Sequence, residues 1–240
     1  MKILVFLVVV FGAFTIHAMI GFGSSILAIP FCSMVLGLTE AKIILNIISV
    51  VYSIPIVISC RRDIDYKELI RILIVMLAGI IIGRGLSDIL EDELLLRGYS
   101  MFVLIFGLTN LLVKKKFTFG RVTNFVILLA AGIIQGMILV GGPLLVIYAS
   151  QTIKDKQVFR ATLGTLWFFI YLFMSVAQSI NHHYTMQEYI IVLCSIPVMA
   201  LAFLLGSKLV KNICQDMFQR VIYILLSIMS VIMMISSCIQ

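Results

Sequence analysis

Apolar residues along this chain gather into eight long blocks separated by short charged segments. The blocks are Ile3–Gly37, Ile43–Cys60, Leu69–Gly83, Tyr99–Val113, Val122–Ser150, Phe159–Ile180, Tyr189–Leu209 and Val221–Cys238. Six of them suit one helical crossing of a hydrocarbon layer about 30 Å thick, at 1.5 Å per residue. The other two are too long, since as straight helices Ile3–Gly37 would reach about 52 Å and Val122–Ser150 about 43 Å. Each carries a small-residue interruption near its middle: Gly21-Phe22-Gly23-Ser24-Ser25 in the first, Gly141-Gly142-Pro143 in the second. Glycine in a helix interior costs about 1 kcal/mol and proline about 3, so both blocks are expected to break there.

Composition narrows the class. Of 240 residues, 62% are hydrophobic and 12% charged, which is too few charges to cover a water-soluble domain of this size. Disorder needs the opposite bias. The chain reads as an all-α, polytopic integral membrane protein. Its net charge of +7 comes from short clusters between apolar blocks, such as Arg61-Arg62 and Lys114-Lys115-Lys116, a pattern of membrane anchoring rather than nucleic-acid binding. The five cysteines are scattered, with no C-x-x-C, and imply neither a disulfide framework nor a metal site.

The two long blocks correspond. A shift of 118 residues superposes Ala13 on Ala131, Ile16 on Ile134, Met19-Ile20 on Met137-Ile138 and Gly23 on Gly141. A shift of 123 superposes Val75-Met76 on Val198-Met199, Gly83 on Gly206 and Arg97 on Arg220. Duplication is the better explanation: a repeat over 1–113, a linker over 114–120 and a second repeat over 121–240. If each long block crossed once, Lys and Arg would divide nine and nine between the two sides. If each is a hairpin that turns at its break, they divide fourteen and four, a strong positive-inside signal. The hairpin topology puts both termini outside and inverts the second repeat relative to the first. Each repeat is then a broken, re-entrant hairpin followed by three transmembrane helices. The competing reading of the N-terminus is a signal peptide with Lys2 ahead of an apolar run and Ala18 near a cleavage point. The match of that segment within the second half argues against it.

A turn at membrane depth is tolerated where it lines a cavity. The helix that resumes after each break offers leading amides and a positive dipole end, an anion site without basic side chains. The expected substrate-binding set is Gly21, Gly23, Ser24 and Ser25 with Gly141, Gly142 and Pro143. The bland alternative is that these glycines only allow close helix packing. His17 and Gln135 coincide at the 118 shift, just before each break; both could donate to an anion and His17 could carry a proton, or both could make interhelical bonds. Lys42 and Arg160 also coincide, and are expected as anion-attracting or gating groups at the two mouths or as loop anchors. Asn46, Tyr52, Thr162 and Gln178 are weaker candidates on neighbouring helices. His182-His183 and the acidic run from Asp88 to Glu93 fit an outer surface. No metal site, cofactor or nucleic-acid partner is implied, and no phosphate-binding loop for ATP occurs. The implied partners are a small anion and the lipid bilayer.

The stretches Gly21-Phe22-Gly23-Ser24-Ser25-Ile26-Leu27-Ala28-Ile29-Pro30 and Gly141-Gly142-Pro143-Leu144-Leu145-Val146-Ile147-Tyr148 resemble the paired glycine-rich motifs of the sulfite exporter TauE/SafE family, also known as the 4-toluene sulfonate uptake permeases. The similarity spans nearly the whole chain. It departs at Ser24-Ser25, where the family often has more glycine, and at Tyr148, where proline is common. The resemblance implies a secondary transporter, not an enzyme, moving a sulfur-containing or organic anion across the bacterial inner membrane, with export the expected direction. An anion channel or a membrane subunit of a larger complex is the competing expectation.

Overall fold

The computed structural model describes residues 2–86, 101, 103–105, 107–109, 120–180, 185–211 and 213–239. Among these, every regular element is a helix: α1 (Lys2–Ile20), α2 (Ser24–Leu36), α3 (Leu38–Ser59), α4 (Tyr66–Leu86), α5 (Arg121–Ile138), α6 (Gly142–Thr152), α7 (Lys156–Ser179), α8 (Met186–Lys211) and α9 (Gln215–Ile239). Of the block Tyr99–Val113, the described residues 101, 103–105 and 107–109 are helical. The acidic run, Arg97, Lys114–Lys116 and His182-His183 lie outside the described residues. Helices α1, α3, α4, α7 and α8 are each long and apolar enough to span a bilayer. This is a multi-pass membrane protein.

Both long blocks break where glycine and proline interrupt them. α1 stops at Ile20 and α2 starts at Ser24; α5 stops at Ile138 and α6 starts at Gly142. α2 packs back on α1, and α6 on α5. The returning limbs have 13 and 11 residues, so they are about 20 Å and 16 Å long, less than a full crossing. Elsewhere the helices outrun the apolar blocks by a turn or so, because a helix continues past the hydrocarbon edge whereas hydropathy stops at the first charge. Lys42 therefore falls inside α3 rather than in a loop, and Arg160, within its block, lies more than a turn from the start of α7.

The chain forms two compact units, Met1–Leu69 with Gln157–Asn212, and Ile70–Lys156 with Ile213–Gln240. Each draws on both sequence halves. In the first, Phe6, Val10, Phe14 and Ala18 line one stripe of α1 at four-residue spacing, and Ile44, Ile48, Tyr52 and Ile56 do the same on α3. Lipid is as apolar as leucine, so burial alone cannot pair such helices; close packing of small residues can. Gly206 of α8 supplies that contact, since a Cβ there would sit 2.5 Å from both the Thr15 carbonyl oxygen and the Ala18 Cβ. In the second unit Gly79 and Gly83 of α4 face Gly132 and Gly136 of α5. A Cβ on Gly79 would stand 2.6 Å from the Leu129 oxygen, and one on Gly132 would stand 2.5 Å from the Met76 oxygen. The backbones of α4 and α5 touch along two turns.

Candidate functional site

At the first break the Gly21 amide donates to the His17 carbonyl at 2.7 Å, closing α1, and Gly21 and Gly23 take φ of +84° and +94°. These are left-handed values that glycine adopts without a Cβ clash. Gly21 is needed for a second reason, because a Cβ there would lie 2.8 Å from the Arg160 carbonyl oxygen. The buried His17 ring then bridges the gap: its Nδ1 and the Ser24 Oγ are hydrogen-bonded at 2.8 Å, tying the last turn of α1 to the first residue of α2. The ring meets Tyr52 edge-on at 5.5 Å, and the Tyr52 hydroxyl donates to the Phe14 carbonyl at 2.6 Å. His17 Nε2 is buried without a partner among the described residues.

Two residues that hydropathy does not single out complete this environment. The Tyr171 hydroxyl shares a hydrogen bond with Ser25 Oγ at 3.0 Å. Trp167 stacks on Tyr171 at 5.3 Å, with its indole nitrogen buried and unpartnered among the described residues. A hydroxyl recurring with a tryptophan one turn earlier on α7 was the available signal, and it was too common a pattern to stand out.

Arg160 is 5% exposed, so it does not stand open at a membrane mouth. Its Nε donates to the Ala18 carbonyl, one of the last four carbonyls of α1, which have no partner within the helix. One terminal nitrogen donates to Ser207 Oγ at 2.6 Å and the other approaches Cys60 Sγ at 3.8 Å. A cation at a helix C-terminus complements the negative dipole end, so the guanidinium acts as a strut under the break. Lys42 is half-buried within α3. Asn46 donates to Ser175 Oγ and Gln178 Oε1 at 3.1 and 3.0 Å, and Thr162 Oγ1 accepts from the Asp65 amide at 3.0 Å; these four side chains brace helices.

The second break, in the other unit, uses different residues for the same geometry. Leu139 takes φ of +59° and its amide donates to the Gln135 carbonyl at 3.1 Å. A left-handed leucine costs about 1–2 kcal/mol, strain that Gly21 avoids at the matching position. Gln135 Oε1 accepts from the Gly141 amide at 2.9 Å, so this side chain tethers the two limbs as His17 does. Gly141 itself has an ordinary helical φ of −69°, and the requirement there is steric: a Cβ would overlap the Ala131 carbonyl and stand 2.7 Å from Gln135 Cβ. Gly142 opens α6 and Pro143 sits in its first turn, where its missing N–H costs nothing. Every residue of α6 from Gly142 to Ser150 is buried.

Each break thus presents the start of a short helix, whose leading amides have no partner within that helix, beside a polar tether. No cluster of three or more His, Cys, Asp or Glu occurs among the described residues. No curated protein and no solved structure matches the chain. A protein-family comparison does: the model described as sulfite exporter TauE/SafE matches residues 5–233. The chain, an all-helical membrane protein of the transporter type, belongs to the sulfite exporter TauE/SafE family.

Proposed function

We propose that the protein is a secondary transporter for a small sulfur-containing or organic anion of the sulfite or organosulfonate kind, exporting it across the bacterial inner membrane by alternating access around its two glycine-rich breaks. The observation that carries this is the pair of short helices, α2 and α6, each beginning at a break inside an apolar block with a buried polar tether beside it. Helix starts of this kind favour negative charge, and half-helices at the centre of repeats are where many transporters hold substrate. The proposed binding residues are Gly21, Gly23, Ser24 and Ser25 with His17 beside them in the first unit, and Gly141, Gly142 and Pro143 with Gln135 beside them in the second. His17, hydrogen-bonded to Ser24 and with no partner at Nε2 among the described residues, is the group through which protons would couple to flux.

The inverted duplication, repeats over 1–113 and 121–240, belongs to the same proposal, and matched contacts support it. Gly21 and Leu139 are 118 residues apart, and both carry positive φ and close a helix onto the residue four earlier. Thr15 and Ile133 are separated by the same shift, and Gly206 and Gly83 by 123; Gly206 packs on the Thr15 carbonyl, Gly83 on the Ile133 carbonyl. Each is a helix of one half set against the first helix of the other. In this proposal both termini lie outside, as the fourteen-to-four division of Lys and Arg favours.

Purified protein in proteoliposomes, tested with sulfite, thiosulfate, sulfoacetate, taurine and sulfate, is expected to show saturable exchange of at least one sulfur anion. A conductance that rises without saturation would make the protein a channel, and flux of none of the five would overturn the substrate class.

A further inference from the structure

The second unit contains a cavity of about 450 Å³ that lies away from the break. Its walls come from the start of α4, the start of α5 and the last turns of α6, and Tyr148 and Thr152 on α6 stand at the opposite end of that helix from Gly142. The full length of α6 is about 16 Å, so this space is separate from the amides at the break.

The lining has two characters. Arg71, on the second turn of α4, and Arg121, on the first turn of α5, bring two guanidiniums to one cavity, and none of its lining residues is acidic. The N-terminal dipole end of α5, where Arg121 stands, has the same sign. Phe125, the buried Leu128 and the ring of Tyr148 form an apolar wall beside them. A guanidinium fork matches the paired oxygens of carboxylate, sulfonate or phosphate. The volume falls among sites that hold whole organic molecules, roughly 300–1,000 Å³, and an inorganic anion would leave the apolar wall uncovered.

We propose that this cavity binds an amphiphilic oxyanion, with Arg71 and Arg121 on its oxygens and its apolar body against Phe125 and Leu128. Two sources share that chemistry, a free organic anion and the headgroup region of an anionic phospholipid, which basic pockets between membrane helices also hold. The site stands apart from the transport reading and survives if that reading fails.

Hexanesulfonate and sulfate, titrated calorimetrically into the full-length protein in a nonionic detergent, test the free-anion arm. Native mass spectrometry with phosphatidylglycerol against phosphatidylcholine tests the lipid arm. In at least one arm the wild type binds the amphiphile at least tenfold better than sulfate or the neutral lipid, and R71Q/R121Q loses that preference. Thr152→Trp, which fills the rim and keeps both arginines, is expected to weaken binding at least tenfold as well, and it decides the matter if the double variant fails to fold. The proposal is overturned if neither amphiphile binds, if sulfate binds as well as hexanesulfonate, or if the folded variants bind as the wild type does.

Discussion

Three glycine-to-alanine substitutions separate the two demands made at the first break. Gly12 lies within α1 with nothing within 4 Å of an added Cβ, so Gly12→Ala should be neutral or stabilise the helix by up to about 1 kcal/mol. Gly37 has φ of +89° but equally open surroundings, so Gly37→Ala meets only the backbone cost, about 1–3 kcal/mol. Gly21 has φ of +84° and in addition would drive its Cβ to 2.8 Å from the Arg160 oxygen and 3.1 Å from the Arg160 Cα, which are backbone atoms that no rotamer change can move. Overpacking of that kind costs about 1–3 kcal/mol, so Gly21→Ala should lose about 2–6 kcal/mol in all. Relief requires α7 to move away from the end of α1, which pulls the Arg160 Nε from the Ala18 carbonyl. Unfolding in mixed micelles gives the stability order, and initial anion flux in proteoliposomes gives the functional one. A loss near 1.4 kcal/mol in the productive conformation is a tenfold loss of rate, so the extra cost of about 1–3 kcal/mol should put flux in Gly21→Ala about 5- to 150-fold below that of Gly37→Ala. Equal stability of the Gly21 and Gly37 variants, with equal flux, would refute the steric reasoning.

Gly83→Leu and Gly206→Leu should both separate the helices they join, lowering stability by similar amounts of at least about 2 kcal/mol in the same unfolding assay; a large effect at one and none at the other would contradict the paired architecture. A single cysteine placed within 61–65, on a background free of native cysteines, should react with an impermeant maleimide only from the cytoplasmic side, and one within 181–187 only from outside. Reaction of both from one side would dismiss the hairpin topology.

Much of the architecture was legible in the chain because its signals are local. A block too long for one crossing, interrupted by Gly21-Phe22-Gly23 or by Gly141-Gly142-Pro143, has to bend where those residues stand, and the helices end there. The membrane class followed from charge content, and three of the residues that brace helices, Asn46, Thr162 and Gln178, are ones whose polarity marked them beforehand. The starts of α3 and α7 lie about a turn before the blocks that begin at Ile43 and Phe159, because an apolar run reports the lipid boundary and not the first helical turn.

What tertiary structure alone decided are pairings across long separations in a chain of which several helices, α1, α2 and α8 among them, are apolar on nearly every side. With no polar face to contrast, hydropathy cannot say which stripe meets which neighbour, and glycine contacts such as Gly206 on Thr15 or Gly79 on Leu129 depend on backbone approach. Arg160 could not be read as a strut until the end of α1 was set beside it, 142 residues earlier in the chain. Nor could Tyr171 be joined to Ser25, or Arg71 brought to the same cavity as Arg121, from any local pattern. The sequence by itself determined where the chain enters lipid and where it must break. Packing determined which buried polar groups meet at those breaks, since only a folded backbone brings distant donors and acceptors within hydrogen-bonding range.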